Sequence, residues 1–463
     1  MAAGNYRRQR LAWKVGLFLA DVISAAAAFQ LAILLGRGAV SVPQAWVADA
    51  WSAGLALGCW LLFSLRHPGY LPRPHRPLIT TASQCLLAVA GGSAAAIVLL
   101  YVTAPSSLAG RAVLVPASIL MFGFMVVIRH LAGAVASRDA FVERYLILGN
   151  GERSRVIVNE LSNGRHPFKQ VVGLVPFQVG EAVPAEVPVL PTPIATDRVI
   201  QDLGVTHAIV CHLQPLPEAA ARCVAECEAA GVEVHSMESA YERLTRRVPL
   251  FHVGHEWIAS LDASAQTLYA TRVKRVLDTI LASIALLMAG PLILFLALLV
   301  KLTSKGPAFY SQERVGFHGK PFTFTKLRTM VADAEAETGP VWACEDDPRI
   351  TKVGRFLRKT RLDELPQLWS VLKGDMSVIG PRPEREHFVQ QFLGEIPLYG
   401  KRLVVLPGIT GWAQVHHSYD ASVEDVIEKL RYDLFYVNHV SVKLDLLVLL
   451  KTIDVMVRGR YAR

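Results

Sequence analysis

Long apolar stretches separated by short polar loops occupy residues 1–138 of the chain. Four such stretches occur, at about residues 11–35, 46–65, 78–102 and 112–131. Each approaches the ~20 residues that an α-helix needs to cross a bilayer, so the pattern predicts a bundle of four transmembrane helices. A cleaved signal peptide explains the first stretch less well, because that stretch is long, contains Asp21 and precedes further apolar stretches.

The basic residues around these stretches predict an orientation. They cluster before the first stretch, between the second and third, and after the fourth: Arg7, Arg8, Arg10, Lys14, Arg66, Arg73, Arg76, Arg129, Arg138 and Arg144. The other two loops contain only Arg37 and Arg111 as basic residues. Because positive residues mark cytoplasmic loops, the N-terminus and everything after residue 138 are expected to be cytoplasmic.

The sequence pattern changes in residues 139–265, where short apolar strand-like segments alternate with helix-like segments. This alternation predicts a doubly wound parallel sheet, that is, a Rossmann-like α/β domain. Gly149 and Gly151 fall at the first strand-to-helix turn, but Ser154 replaces the third glycine of a dinucleotide fingerprint. We therefore expect a structural or regulatory domain without a bound NAD.

A further apolar run extends from about Val276 to Val300, within a segment of about residues 272–302 that has basic residues at both ends. Basic flanks on both sides favour a re-entrant hairpin, whose two ends lie on the cytoplasmic side, over a simple span. Gly290 and Pro291 near the middle supply a bend, since proline removes a helix donor and clashes with the preceding turn. A kinked transmembrane helix fits the same residues and remains an alternative.

Composition supports the membrane assignment, because 52% of the 463 residues are hydrophobic and only 19% are charged. The formal net charge is +9, and the basic residues lie beside apolar segments, which favours a membrane surface or a phosphate-rich substrate over nucleic acid. The six cysteines form no C-x-x-C pair and show no regular spacing, which argues against a cysteine zinc site and a disulfide framework.

Dense polar motifs then follow in the last part of the chain. They read "GPAFYSQERVGFHGKPFTFTKLRTM", "RKTRLDELPQLWSVLKGDMSVIGPRPE" and "VLPGITGWAQV". The adjacent carboxylates Asp363 and Glu364 can start a helix, with Asp363 as N-cap and Glu364 in the first turn. The same pair can also attack a phosphoryl group and hold a hard divalent cation.

These motifs resemble the bacterial sugar transferase family, the monotopic polyprenyl-phosphate phosphoglycosyl transferases, over about residues 272–463. The resemblance implies a mainly α-helical catalytic domain, residues 266–463, anchored by a re-entrant membrane helix on the cytoplasmic face of the bacterial inner membrane. It further implies transfer of a sugar 1-phosphate from a UDP-sugar to undecaprenyl phosphate, with UMP as the other product. The whole chain is then a multi-domain membrane protein of exopolysaccharide, O-antigen or capsule synthesis.

The resemblance also implies roles for individual residues. Asp363 matches the family's nucleophile, Glu364 its Mg2+ ligand, and Arg358 and Arg382 its phosphate-contacting arginines. The family's helix break falls at Gly290 and Pro291, although the family often has serine before that proline.

Lys326 and Arg328 in "TKLRTM" add candidate cations from the residues themselves. Either they form a second basic wall around the diphosphate, or they face phospholipid. The C-terminal run from residue 432 mixes apolar residues with Lys443, Asp445, Lys451 and Asp454, which is typical of a helix lying in the membrane interface.

Two other classes of function stay open at this point. The chain can be a catalytically inactive scaffold of a polysaccharide assembly, or, with weaker support, a membrane-bound NAD-dependent sugar dehydrogenase or epimerase. Large members of the family suggest a homodimer. No residue in the sequence indicates which sugar is transferred.

Overall fold

A computed structural model describes the protein at residues 2–37, 54–63, 78–103, 108–135, 142–163, 169–177, 187–190, 196–212, 215–331, 348–417 and 422–457. The chain divides into two compact units, Met1–His235 and Ser236–Arg463. The predicted domain boundaries after residues 138 and 265 stay predictions.

Four helices open the first unit: α1 (Ala2–Arg37), α2 (Gly54–Phe63), α3 (Leu78–Thr103) and α4 (Leu108–Val135). Within α1, α3 and α4, the segments Leu11–Leu34, Gln84–Tyr101 and Val113–Gly133 are long and apolar enough to cross a membrane. The predicted stretch 46–65 is described only over the short apolar helix α2, and its other residues lie outside the described part of the chain. The fourth helix that meets the length criterion is Tyr269–Thr303, in the second unit. The protein is therefore a membrane protein.

One ion pair explains how an acidic residue fits into the first apolar segment. Nη2 of Arg129 lies 2.8 Å from Oδ2 of Asp21, and both side chains are buried. Pairing of opposite charges inside a helix bundle is the usual arrangement for ionisable residues at this depth. The pair joins α1 to α4.

A parallel sheet follows in the first unit. Its strands are β1 (Glu143–Leu148), β2 (Lys169–Val175), β3 (His207–Val210) and β4 (Glu233–Ser236), in the order β2-β1-β3-β4. The helices α5 (Glu152–Ser162), α6 (Thr196–Asp202) and α7 (Glu218–Ala229) alternate with them. Strand β1 is buried along most of its length, as expected of a central parallel strand. Its parallel pairing with β2 and β3 agrees with the alternating pattern, while the Rossmann-like assignment stays a prediction.

The turn after β1 shows how the incomplete glycine motif folds. Gly149 and Gly151 have φ angles of 119° and 86°, which side chains rarely adopt. Ser154 takes the place of the third glycine, is fully buried and donates from Oγ to the carbonyl of Gly149 over 2.8 Å. The serine therefore ties helix α5 to the turn in place of the close backbone contact that glycine permits.

The second unit is mainly helical. Its helices are α8 (Met237–Thr245), α9 (His255–Ala265), α10 (Lys274–Thr303), α11 (Lys352–Thr360), α12 (Gln367–Lys373), α13 (Glu386–Glu395), α14 (Val423–Asn438) and α15 (Val442–Val457). Its strands are β5 (Phe309–Val315), β6 (Pro321–Leu327), β7 (Ser377–Ile379) and β8 (Gly408–Thr410). Strands β5 and β6 pair antiparallel, and β7 and β8 pair parallel.

Helix α10 continues without interruption through Gly290 and Pro291. Its middle carries exposed apolar side chains, of which Leu287 is 82% and Met288 77% exposed. Such exposure in a long apolar helix indicates contact with lipid.

A buried polar cluster fixes the start of α10 to the C-terminal helices. The carboxylate of Asp445 in α15 accepts hydrogen bonds from Lys274 Nζ, Tyr269 Oη and Tyr436 Oη over 2.7, 2.6 and 2.7 Å. Each buried polar group in this cluster has a partner, so burying the lysine and the aspartate together is tolerated. The cluster explains why the last apolar helix contains an aspartate.

Candidate active site

The two adjacent carboxylates lie in a tight connection between two helices. Helix α11 ends at Thr360, Arg361 adopts the left-handed conformation with φ 56°, and Leu362–Glu364 form a 3-10 turn. Pro366 immediately precedes α12. Asp363 therefore does not cap α12, and the helix-start interpretation does not explain the carboxylate pair.

The "GPRP" segment is held next to this turn by close backbone packing. Gly380 donates its N–H to the carbonyl of Thr410 over 2.9 Å, which extends the pairing of β7 with β8. A Cβ atom on Gly408 would lie 2.0 Å from the nitrogen of Gly380, and one on Gly411 would lie 2.2 Å from its oxygen. These glycines are required because any side chain there would separate the two strands.

Arg402 fixes the position of Arg382, the basic residue of this segment. Its guanidinium donates to the backbone carbonyl of Arg382 over 2.8 Å and to Oδ2 of Asp433 over 2.8 Å. A third hydrogen bond from Arg402 reaches Tyr399 Oη over 3.0 Å. A buried arginine with all these partners is a rigid support.

Arg382 in turn grips Glu364. Its two terminal nitrogens donate to the two carboxylate oxygens of Glu364 over 2.9 and 3.4 Å, and Arg361 lies 3.7 Å from one of them. Burial alone would raise the pKa of Glu364, but the charges of Arg382 and Arg361 outweigh it and hold that pKa below its usual range. Glu364 is thus kept ionised.

Asp363 has the opposite environment, although it is the next residue. It is 6% exposed. Burial, with a smaller contribution from the charge of Glu364, raises the pKa of Asp363 to about 6. The charges of Lys326, Arg382 and Arg358 act against this rise. At neutral pH Asp363 is therefore a largely ionised carboxylate with little hydration, which suits a nucleophile.

Lys326 reaches the same carboxylates from strand β6. Burial lowers the pKa of this lysine to about 8, and Asp363 partly offsets the effect. Its ammonium nitrogen lies 5.6 Å from the centre of the Tyr310 ring on the paired strand β5. This contact is a cation–π interaction that orients the long side chain.

Arg358 approaches from helix α11. Its Nε donates to Oγ1 of Thr329 over 2.9 Å. Helix α11 lies close to the backbone of Thr329, since a Cβ on Gly354 would fall 1.9 Å from that residue's carbonyl oxygen. Asp363, Glu364, Arg358, Arg382 and Lys326 thus lie close enough for their charges to interact.

Arg328 has different partners from the other predicted cations. Its guanidinium donates to the carbonyl oxygens of Ser304 and Lys305 over 2.9 and 2.7 Å and to Oγ of Ser304 over 2.7 Å. These contacts stabilise the C-terminal end of α10. Gly290 and Pro291 lie near the middle of α10, where Pro291 is exposed.

Sequence reasoning missed the residues that support the cluster from behind. Glu384 accepts a hydrogen bond from Lys429 over 2.6 Å and lies 3.5 Å from Arg314. Although burial acts in the other direction, Lys429, Arg402 and Arg314 hold the pKa of Glu384 far below its usual range. The signal available was position, because Glu384 directly follows "GPRP" and Arg314 lies in "SQERVG". Spacing alone did not indicate which charges would pair.

Comparison with known proteins places this site in a family. A sequence model of the bacterial sugar transferase family matches residues 269–459. An undecaprenyl-phosphate galactose phosphotransferase from Salmonella typhimurium is 31% identical over 368 residues, which cover 74% of this chain and 73% of that protein. The chain belongs to the bacterial sugar transferase family, and the resemblance predicted from the motifs is confirmed.

Other relatives match a shorter part of the chain. A UDP-N-acetylgalactosamine-undecaprenyl-phosphate N-acetylgalactosaminephosphotransferase from Aeromonas hydrophila is 43% identical over 242 residues, covering 52% of this chain and 56% of that protein. A UDP-glucose:undecaprenyl-phosphate glucose-1-phosphate transferase from Klebsiella pneumoniae is 41% identical over 182 residues, 39% of each chain. The chain thus matches little more than half the length of the Aeromonas relative, and the named relatives act with different sugars.

Proposed function

We propose that this protein transfers a sugar 1-phosphate from a UDP-sugar to undecaprenyl phosphate on the cytoplasmic face of the bacterial inner membrane. The product, undecaprenyl-diphospho-sugar, would begin exopolysaccharide, O-antigen or capsule synthesis. The names of the relatives support this acceptor and this type of reaction. The observation that carries the proposal is the buried carboxylate of Asp363, with its raised pKa, beside Lys326, Arg358 and Arg382.

The reaction runs as two displacements at one phosphorus atom. A carboxylate oxygen of Asp363 attacks the β-phosphorus of the UDP-sugar, and the bond from that phosphorus to the bridging oxygen breaks, so that UMP leaves. A phosphate oxygen of undecaprenyl phosphate then attacks the same phosphorus and breaks its bond to Asp363. The aspartate is regenerated, and the sugar phosphate is now joined to the lipid phosphate.

The cations around the carboxylates are suited to a diphosphate. Two arginines and one lysine influence the pKa of Asp363, and Arg361 is a further cation beside Glu364. Four cations therefore face two carboxylates, which leaves a surplus of positive charge before the substrate binds. Phosphoryl transfer depends mainly on positioning and charge neutralisation, and this surplus supplies both.

The residues present fit a magnesium ion that arrives with the diphosphate. Glu364 is kept ionised, and each of its oxygens has a second lone pair besides the one directed at Arg382. Mg2+ is usually held by one or two carboxylates together with substrate phosphates. When bound there, it would neutralise charge on the transferring phosphoryl group, while Glu364 and Arg382 hold each other in place.

The packing of α10 supports the proposal that it enters the bilayer and returns. Ala282 belongs to a buried cluster with Phe324, and Leu296 belongs to another with Leu327. Residues from both halves of α10 therefore take part in buried clusters of the second unit. Together with the basic residues at both ends of the segment, this supports a return to the cytoplasmic side, with Pro291 supplying the bend.

Activity of the purified full-length protein tests the function. With Mg2+, undecaprenyl phosphate and a panel of UDP-sugars, at least one sugar nucleotide should release UMP, and Asp363→Asn should abolish the release. Asp375→Asn, which removes a carboxylate on the loop after α12, is the matched control and should retain activity.

A label distinguishes the covalent route from a direct transfer. With a UDP-sugar labelled at the β-phosphate and no lipid acceptor, wild-type protein should retain label in an acid-denatured, base-labile form that Asp363→Asn lacks. Equal UMP release by wild type and Asp363→Asn contradicts the nucleophile assignment. Failure of all UDP-sugars supports the inactive scaffold.

The remaining expectations belong to the same proposal. A homodimer and a Rossmann-like domain without a bound NAD are carried over from the sequence, and sedimentation of the protein in detergent together with nucleotide extraction tests both. A stoichiometric NAD in the extract would favour the dehydrogenase or epimerase interpretation.

A further inference from the structure

A second group of metal-ligating side chains lies in the first unit, on the parallel sheet. His207 begins strand β3, and Glu233 and His235 are the first and third residues of strand β4, which is its neighbour in the sheet. Glu233 and His235 are two residues apart and therefore point to the same face. One ligand atom from each of the three residues lies within 4.8 Å of the other two.

The three side chains converge on one oxygen atom. Oε2 of Glu233 lies 3.5 Å from Nε2 of His207 and 3.8 Å from Nε2 of His235. Around a tetrahedral zinc ion, with ligand bonds of about 2.0–2.2 Å, neighbouring ligand atoms are about 3.4 Å apart. The two distances to the glutamate oxygen exceed that spacing by only a few tenths of an ångström.

The inner nitrogen of the His207 ring contacts Thr206. Oγ1 of Thr206 lies 2.8 Å from Nδ1 of His207 and accepts from the backbone N–H of Arg144 over 2.8 Å. In the tautomer in which Nδ1 donates to Thr206, Nε2 keeps its lone pair on the side of Glu233, and this is the tautomer that a metal ligand requires.

The three side chains differ in how deeply they are buried. The side chain of His207 is 1% exposed, that of His235 17% and that of Glu233 39%. Stacking on Tyr145, with ring centres 4.9 Å apart, fixes the His207 ring. The site thus has a rigid inner ligand and an open outer side, where an ion can enter and keep water as its fourth ligand.

We propose that His207, Glu233 and His235 form a binding site for a divalent transition-metal ion, with zinc as the expected occupant. Two imidazoles and one carboxylate are a ligand set that such ions prefer, whereas Mg2+ prefers oxygen ligands. A single metal ion can bind all three groups at once. A bound metal ion would cross-link strands β3 and β4.

The test measures metal on the full-length protein in detergent, purified with a tag that lacks histidine. After removal of metal by a chelator, zinc is titrated by equilibrium dialysis in excess Mg2+, and Co2+ is added in parallel for its visible spectrum. Wild type should bind one tight zinc per chain. Glu233→Gln and His235→Gln should weaken it by at least about 100-fold, because even loss of an outer hydrogen bond to a ligand costs about 10–100-fold.

The controls separate this site from the rest of the chain. His255→Gln and His387→Gln remove exposed histidines of the second unit and should keep the wild-type zinc affinity, as should Glu364→Gln. His207→Gln should lose zinc too, but its burial can impair folding, so the more exposed Glu233 decides the outcome. Unchanged zinc affinity in Glu233→Gln and His235→Gln, or no tight zinc on wild type, overturns the site, whatever the result for UMP release.

Discussion

Replacement of Asp363 by asparagine should make the protein more stable at neutral pH while it abolishes transfer. The carboxylate is buried, and its pKa is raised to about 6, compared with about 3.9 for an unperturbed aspartate. Ionisation of this carboxyl group therefore costs free energy in the folded protein. An amide of nearly the same shape removes that cost, as expected where an active site is held in a strained electrostatic state.

The size and pH dependence follow from the two pKa values. Below about pH 4 the group is protonated in both the folded and the unfolded protein, and above about pH 6 it is ionised in both. In between, wild-type stability falls as pH rises. A difference of about two pKa units corresponds to about 3 kcal/mol, or roughly 6–12 °C in midpoint for a unit of this size. The advantage of Asp363→Asn should thus be small near pH 4 and full above pH 7.

Thermal unfolding in detergent, followed by tryptophan fluorescence between pH 4.5 and pH 8, measures this difference. Subtracting wild type from Asp363→Asn cancels most other titrating groups, and Asp375→Asn serves as the control for removal of another carboxylate. A midpoint for Asp363→Asn at or below wild type at pH 8, with a pH-independent difference, would refute the idea that Asp363 is held ionised against its environment.

Three further substitutions probe the residues around this carboxylate. Glu364→Gln should lower the unfolding midpoint above pH 5, whereas Asp363→Asn should raise it. The reason is that the pKa of Glu364 is depressed, so its ionised form stabilises the fold. A midpoint equal to or above that of wild type contradicts this. Arg382→Lys keeps the charge but loses the two-pronged contact with Glu364, so UMP release should fall about 10-fold or more at unchanged expression, and full activity would show that charge alone suffices. Arg328→Ala should lower the midpoint by several degrees with an unchanged KM for the UDP-sugar, since its partners are carbonyls at the end of α10; a raised KM would instead support the phosphate-binding prediction.

The sequence predicted three apolar helices of bilayer length in the first unit and the family of the chain, for different reasons. Apolar stretches of bilayer length have few alternative structures, and the motif around Asp363 and Arg382 identified the family. What the motif could not show is that adjacent carboxylates have opposite pKa shifts, because these depend on which arginine reaches which oxygen. The distinct partners of Arg328 depend likewise on where α10 ends in space.

The histidines of the sheet illustrate another limit of sequence reasoning. His207 and His235 are far apart along the chain, and only the neighbouring positions of β3 and β4 bring them to one carboxylate. No short spacing signals such a group. A search for metal ligands by motif therefore finds cysteine pairs more readily than ligands assembled across strands.

The position of Lys326 on strand β6 has a mechanical consequence. Phe324 and Leu327, on either side of this lysine, belong to the clusters that pack against the two halves of α10. Strand β6, which presents the lysine to the carboxylates, therefore also takes part in the packing of the membrane helix α10. A thinner or thicker bilayer that tilts or bends α10 would therefore displace this strand. We expect lipid chain length to change the position of Lys326 relative to Asp363 and Glu364, and not only the anchoring of the protein.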